Sequence, residues 1–416
     1  MNITEDQDRF VIGLTGSFGS GCSTLRESLV KLGFEPFSLS KYVKEAWNLK
    51  TGKPIDKAPR KELQDVGDKL REDNHETHYL AKIALNEAEG KPKDTKPWVF
   101  DNIRNLGELR YFRNKFRDFF LFAVDCSPKT RWDRVKQHYL NLGFNENDFE
   151  IDDRRDKYDE RTEYGQQVEL CVDDADVIID NDKLYPTDSV QIGKLADKIN
   201  PYINLVKGEL KRPPSPTELY MGIAYTASLM SQCIKRHVGA LIVDEKNDAV
   251  VSVGYNETPP GIEPCEIKYR QCSRDIYKMK YFDKLENSGQ KCPKCDVVLK
   301  DLKAPFLCSS CGFDLDKYFI SDKALDRCAA LHAEEKAILN IGSRNIQGYT
   351  IYTTTFPCYS CAKKIVNSRL SSVVFVEPYP DQDSVDLLDE GKVSVRKFEG
   401  VKARAYFRVF GQPRRE

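Results

Sequence analysis

The chain has 416 residues, enough for two or three domains, and its 40% hydrophobic content supports ordinary buried cores. Its 64 basic and 65 acidic residues leave a formal net charge of −1, which argues against a surface built to grip long nucleic acid. The polar, acidic opening MNITEDQDRF is no signal peptide, no apolar run approaches the roughly 18 residues needed to cross a bilayer, and thirteen cysteines then read as metal ligands and buried thiols, so a cytoplasmic protein with no membrane partner is expected. From the amino terminus, RFVIGLTG (9–16), DFFLFAVD (118–125) and ADVIIDN (175–181) read as buried strands with helical stretches between them. That alternation predicts an α/β domain, a parallel sheet covered by helices.

Between the first strand and the helical TLRESLVKLG lies Gly16-Ser17-Phe18-Gly19-Ser20-Gly21-Cys22-Ser23-Thr24. Strand, glycine-rich loop and helix are the setting of a P-loop, whose backbone N–H groups wrap a phosphate at the helix start. Ser23 stands where a magnesium-binding hydroxyl belongs. Cys22 stands where a lysine would reach the β- and γ-phosphates, and a neutral thiol cannot supply that charge. With LQDVGDKLRE (63–72), DNIRNLGELRYFR (101–113) and the lid-like stretch around Arg131, Arg134, Arg154 and Arg155, residues 9–205 resemble the small P-loop kinases of nucleotides and nucleosides. Three readings stand: a regulatory domain that binds a nucleoside triphosphate with Mg2+, an active kinase using a lid arginine, and a scaffold that binds no nucleotide. The first leads, because such a loop can hold phosphates without its lysine.

The charged, proline-rich VKGELKRPPSPTEL (206–219) marks a boundary. Residues 1–206 are expected to form the nucleotide-binding, regulatory half, 207–217 the linker and 218–416 a second domain. In the latter, ELYMGIAYTASLMSQC (218–233) reads as a helix, and VGALIVDE (238–245) and AVVSVGYN (249–256) as strands. An insertion (267–327) carries Cys292-x-x-Cys295 and Cys308-x-x-Cys311, separated by twelve residues. This is zinc-ribbon spacing, four thiolates closing a tetrahedral shell around a structural ion. Cys265, Cys272 and Cys328 flank it without ligand spacing and read as buried thiols, as do Cys126, Cys171 and Cys233. His75, His78 and His237 have no acidic or thiol partner at metal spacing.

Further on, the helical HAEEKAILNIG (332–342) opens with His332-Ala333-Glu334. The strand-like YTIYTTTF (349–356) then leads to Pro357-Cys358-Tyr359-Ser360-Cys361 and the helical CAKKIVNSRL (361–370). One imidazole and two thiolates balance the charge of Zn2+ and leave a fourth tetrahedral position for water. Zinc lowers the pKa of such a water from about 15.7 to about 7. Glu334 is placed to shuttle its proton, as catalytic residue rather than ligand. H-x-E…P-C-x-x-C is the pattern of the zinc nucleobase deaminases. A closed structural knuckle has no use for a glutamate in this register.

SQCIKRHVGALIVDE (231–245), VSVGYNETPPGIEPCE (251–266), the zinc pattern and KFEGVKARAYFRVFG (397–411) together resemble the deoxycytidylate deaminases over most of 215–411. The resemblance implies a cytidine-deaminase-like αβα domain, with Gly254, Tyr255 and Asn256 lining the nucleotide pocket. It puts Asn256 on sugar or base, Thr354 beside the base, and the Ala333 amide with the Cys358-side backbone on the ring edge. It also implies a homo-oligomer, and an accessory zinc that relatives hold with Cys and His near the insertion. The fusion as a whole resembles the bacterial antiviral deoxycytidine-nucleotide deaminases. That implies conversion of dCTP, dCMP or both to the uracil forms, which starves phage DNA synthesis, under an inhibitory regulator released by infection. Other readings are a tRNA or single-stranded DNA cytidine or adenosine deaminase, a bifunctional kinase–deaminase, and a nucleotide-sensing protein with a vestigial zinc site. Balanced charge and the Gly-Tyr-Asn strand oppose the first, and intact ligands beside Glu334 oppose the last.

Overall fold

The computed structural model describes residues 9–92, 95–157, 162–182, 189–304, 306–320, 328–377 and 382–411, so residues 321–327 of the expected insertion lie outside it. Among the described residues the strands are β1 (Val11–Thr15), β2 (Glu35–Ser38), β3 (Trp98–Asp101), β4 (Phe119–Asp125), β5 (Val177–Asp180), β6 (Gly239–Asp244), β7 (Ala249–Tyr255), β8 (Thr350–Thr355), β9 (Ser372–Glu377), β10 (Ser394–Lys397) and β11 (Gly400–Val401). The chain divides into two compact units, Met1–Glu218 with Phe398–Glu416, and Leu219–Lys397.

In the first unit the strands lie in the order β11-β5-β4-β1-β3-β2. β5, β4, β1, β3 and β2 run parallel, and β11 is antiparallel to β5. All five residues of β1 are buried, because a central parallel strand has helices on both faces. Ile12, Leu14, Val99, Phe120, Phe122, Val177 and Ile179 of the sheet pack with Leu25 and Leu29 of the helix Cys22–Lys31 and Leu195 and Ile199 of the helix Ser189–Val206.

The carboxy-terminal segment departs from expectation. Residues 398–411, assigned by resemblance to the deaminase half, belong to the first unit. Val401 pairs with Val177, the Lys402 N–H donates to the Asp176 carbonyl at 2.8 Å, and Ala405 enters the first core. The edge of β5 exposes backbone donors and acceptors that a further strand can satisfy. The helix Ala403–Phe410 covers apolar surface there with Ala405, Val409 and Phe410. Nothing in a two-residue strand tells which sheet it joins.

The second unit holds a sheet of order β10-β9-β8-β6-β7. β6 is antiparallel to β7 and β8, while β8, β9 and β10 run parallel. The helices Ala333–Leu339 and Tyr359–Asn367 cover one face, where Ala333, Ala337, Ala362 and Ile365 meet Ala240, Ile242, Ile351, Val373 and Phe375. Alternate strand residues face the other way. Tyr352 meets Tyr220, a residue of the helix Pro216–Ser228, at 5.1 Å between ring centroids. The insertion builds a small core of its own from Phe282, Leu299, Phe306, Leu315 and Ile320, with Phe282 and Phe306 stacked at 4.1 Å.

Candidate active site

His332 caps the start of the helix Ala333–Leu339, and Cys358 caps the start of Tyr359–Asn367, with Cys361 one turn inside. Both residues are extended (φ −76°, ψ 155° and φ −69°, ψ 167°), so each stands immediately before its helix, and neither side chain bonds the N–H groups at its start. His332 Nδ1 lies 3.3 Å from Cys358 Sγ and 3.4 Å from Cys361 Sγ. A tetrahedral zinc with ordinary bond lengths sets such N···S edges at about 3.5 Å. The three donors lie within 4.8 Å of one another, and their chemistry suits zinc.

The Glu334 carboxylate lies 3.6 Å from Cys361 Sγ and is buried. Burial, partly offset by His332, pushes its carboxyl up and favours a group that can hold a proton. The Cys361 thiol hydrogen-bonds Cys358 and, with His332, brings the Cys358 thiol down to about 4. Hydrogen bonding to Cys358 and burial raise Cys361. The Cys358 hydrogen bond raises His332. The pair thus shares one proton, and a dication would displace it and hold both sulfurs as thiolates.

The other sequence-derived residues frame this cluster. Glu257 and Leu331 exchange backbone hydrogen bonds, so the end of β7 lies beside the residue preceding His332. There the Asn256 Oδ1 accepts from the Val238 N–H at 2.8 Å, and its Nδ2 donates to the Arg236 carbonyl at 2.9 Å. Asn256 therefore braces the entry to β6. Thr354 is fully buried and accepts from the Gly239 N–H at 3.2 Å. Ala333 is also fully buried. Gly254 lets the helix Ala333–Leu339 sit against β7, since a Cβ there would meet the Ala333 carbonyl at 2.1 Å. Sequence reasoning missed the struts on either side of that contact. Ser252 Oγ donates to the Ala337 carbonyl at 2.7 Å, and Asn340 Nδ2 to the Val253 carbonyl at 3.0 Å.

In the insertion, Cys292 Sγ and Cys311 Sγ are 3.7 Å apart, and Cys295 Sγ and Cys308 Sγ are 3.6 Å apart. A tetrahedral Zn–S4 site has edges of about 3.8 Å. Each pair sits in a tight knuckle of the same form: the Cys292 N–H donates to the Val297 carbonyl and Cys308 N–H to Phe313, while Asp296 and Gly312 return N–H bonds to Cys292 and Cys308. All thirteen cysteines are free thiols. Cys233 and Cys265 lie near Cys328, whose thiol is raised chiefly by burial.

In the first unit the glycine-rich loop joins β1 to the helix Cys22–Lys31. Gly21 caps that helix at φ 107°, and a Cβ there would meet Asn181 Nδ2 at 2.2 Å. Cys22 is buried beside Ser20, and burial pushes its thiol up to about 11, so it stays neutral. Arg131 is buried in an ion pair with Asp153 and donates to the Phe18 carbonyl at 3.2 Å. Arg134 donates to the Gly19 and Ser20 carbonyls at 3.2 and 2.9 Å. Arg155 pairs with Asp65 and Asp68, and Arg154 is exposed. Arg60, Gln64, Asp101, Arg104, Asp156 and Asn181 also surround the loop, and sequence reasoning did not single them out.

Among the described residues no helix is long and apolar enough to cross a membrane. Residues 214–377 match the model of the cytidine and deoxycytidylate deaminase zinc-binding region, and residues 12–153 match an AAA domain. The deoxycytidylate deaminase of Schizosaccharomyces pombe is 30% identical over 48% of this chain and 51% of its own length. That of Saccharomyces cerevisiae is 31% identical over 44% and 45%. The chain thus spans about half the length of these curated relatives. Among solved structures, the dCMP deaminase of cyanophage S-TIM5 in complex with dCMP and dUMP is 23% identical, with a TM-score of 0.28, over 45% of this chain and 100% of that one. Residues 12–153 are thus similar to an AAA domain, and residues 214–377 to the zinc-binding region of the cytidine and deoxycytidylate deaminases.

Proposed function

We propose that the protein hydrolyses the 4-amino group of free deoxycytidine nucleotides, dCTP, dCMP or both, to give the uracil nucleotide and ammonia. One observation carries this: a buried carboxylate, Glu334, lies 3.6 Å from one of three donors that converge at metal-binding distance. His332, Cys358 and Cys361 would hold the zinc, which supplies a water that ionises near neutral pH. Glu334 would take a proton from that water and deliver it to ring N3 as the oxygen adds to C4, then carry the proton of the new C4 hydroxyl to the amine as the C4–N bond breaks and ammonia leaves. Its raised affinity for protons suits a group that must both accept and return one. The buried helix start at Ala333 faces the ring edge, and Asn256 and Thr354 keep the strand ends that frame the pocket in register.

The deaminase-family match and the deoxycytidylate deaminases among the relatives support a nucleotide substrate. Balanced charge supports free nucleotides over polynucleotides. The four thiols of the insertion would close around a second, structural zinc. The amino-terminal unit would bind a nucleoside triphosphate with Mg2+ and regulate the deaminase without transferring phosphate, since neutral Cys22 leaves the loop without its cation. In this reading the protein depletes dCTP in antiphage defence, as a cytoplasmic homo-oligomer restrained by an inhibitory regulator. Incubation of the purified protein with dCMP, dCTP, CTP and single-stranded DNA tests the substrate class. Uracil should form from one or both deoxynucleotides and not from DNA. Deamination of the DNA alone would replace this reading with an editing one.

A further inference from the structure

The loop of the first unit lacks its lysine, yet buried cations crowd it. Arg104 follows β3, and its charge acts directly on Cys22, the residue in the lysine position. Arg60 opens the helix Arg60–Asp73 and lies 4.8 Å over the ring of Phe18, a loop residue. The side chains of Arg104 and Arg60 are each only 12% exposed. Two guanidiniums taken this far from water require an anion between them. The anion is Asp156, on the helix Glu146–Lys157, with no exposed surface. Arg60 Nη2 lies 2.6 Å from both of its oxygens, Arg104 Nη1 is 3.0 Å from Oδ2, and Gln64 Nε2 is 2.6 Å from Oδ1. Burial disfavours the charge on Asp156, but Arg60 and Arg104 outweigh it and hold the carboxyl below its ordinary range.

Hydrogen bonding is incomplete at two partners of this carboxylate and at two residues that flank the loop. Among the described residues, Arg60 Nε, Gln64 Oε1, Asp101 Oδ1 and Asn181 Oδ1 are buried without a partner. Asp101 ends β3 and pairs through its other oxygen with Arg26 of the loop helix, and Asn181 donates to the loop carbonyl of Ser20. Buried polar atoms are nearly always satisfied, so orphans on both the Asp156 partners and the residues flanking the loop point to a ligand between them. A carboxylate offers two oxygens in one plane. A phosphate offers three on a larger tetrahedron, enough to engage Arg60 Nε as well. The orphaned acceptors call for donors, which sugar hydroxyls, base amines or magnesium-bound waters provide.

We infer that Arg60 and Arg104 form an anion subsite beside the glycine-rich loop, that the Asp156 carboxylate occupies it as a resident counter-ion, and that the phosphate end of a nucleotide takes its place. Arg104 then binds phosphate beside the loop without restoring a cation at the lysine position that Cys22 fills. Ligand entry must expel Asp156, and the helix that carries it is otherwise fastened to Arg60–Asp73 through Arg155 with Asp65 and Asp68 and through Gln64 with the Asp152 carbonyl. Nucleotide binding would therefore be read out as movement of the helix Glu146–Lys157. This rests on the nucleotide-binding reading of the first unit.

The test uses the full chain, with inorganic phosphate as the probe of the subsite and Mg-ATP as the probe of the loop, followed by calorimetric titration and thermal unfolding. Asp156→Asn removes the competing charge and should tighten phosphate about tenfold or more, because the binding-competent state is no longer a minor one. Phosphate should also raise the unfolding temperature of this variant more than that of the parent. Arg104→Gln, alone or with Asp156→Asn, should abolish both responses. An Asp156→Asn protein that gains nothing from phosphate, folded or not, overturns the assignment, as does an Arg104→Gln protein that binds phosphate unchanged. Mg-ATP bound equally by parent and Asp156→Asn would sink the plug while keeping the loop as a nucleotide site. Phosphate tightening without any Mg-ATP binding would keep the subsite and sink the loop.

Discussion

In the cluster at the sheet, three donors stand at the starts of two helices; in the insertion, four thiols stand on two matching knuckles. The distances within each fit one tetrahedral ion, 3.3 and 3.4 Å against 3.6 and 3.7 Å. What separates them is their support. The helices Ala333–Leu339 and Tyr359–Asn367 are anchored in a core built from β6, β8 and β9 residues. The knuckles close over Phe282, Leu299, Phe306, Leu315 and Ile320, a core too small to stand unaided. A site braced by a sheet can spare a coordination position for chemistry. A site that is itself the brace needs all four.

The largest effect should fall on the carboxylate that only the first cluster has. Glu334→Gln should lower deamination by about 10²–10⁴-fold while leaving the zinc content and unfolding temperature near those of the parent. Uracil formation and metal analysis on one preparation would check this. Retained turnover would reduce the first cluster to a structural site like the second.

Removing one sulfur from each cluster sharpens the contrast. Metal analysis of the parent should return two zincs per chain. Cys358→Ser should lose one zinc and all activity, with hydrogen exchange in β6, β8 and β9 unchanged. Cys308→Ser should lose the other zinc and, with it, the protection of residues 273–320. Structural zinc contributes about 10–16 kcal/mol in small zinc domains, more than so small a core can replace. Equal loss of protection in both variants would erase the distinction.

The same contrast governs what could be read from the chain. Both clusters were legible because metal ligation forces residue types and spacings that survive as short motifs, His332-x-Glu334, Cys358-x-x-Cys361 and the two Cys-x-x-Cys pairs. β1, β4, β6 and β7 were legible as runs of five to seven apolar or alternating residues. β2 and β3, EPFS and WVFD, are four residues long and carry no period of their own. β11 has two residues, and its place at the β5 edge depends on a partner more than 200 residues away. Arg60, Arg104 and Asp156 meet only after two helices and the segment following β3 fold together, so no local pattern announces them. Asn256 was expected on sugar or base, while its bonds to Arg236 and Val238 required the folded turn.

Two glycines give the finest comparison, because one is needed for space and the other only for backbone shape. Gly254 has no room for a methyl group: its Cβ would lie 2.1 Å from the Ala333 carbonyl and 2.5 Å from the Ala337 N. Both are backbone atoms of the helix Ala333–Leu339, so Gly254→Ala must push that helix away by about 1 Å to restore an ordinary C···O contact. Overpacking of this kind costs about 1–3 kcal/mol. The displacement moves His332 and Glu334 together, and a shift of about 1 Å can cost as much as 10²-fold in rate. Gly312 has open space around its Cβ and needs only its left-handed φ of 66°. Asp296, at the same place in the partner knuckle, already adopts φ 59°. Gly312→Ala should therefore cost about 1–2 kcal/mol in the insertion and leave turnover unchanged, and Gly312→Asp should cost less, since Asp tolerates that conformation. Melting curves beside initial rates would separate the two. Loss of rate in Gly312→Ala would mean that the ribbon and the helix Ala333–Leu339 are not the independent structures their separate cores describe.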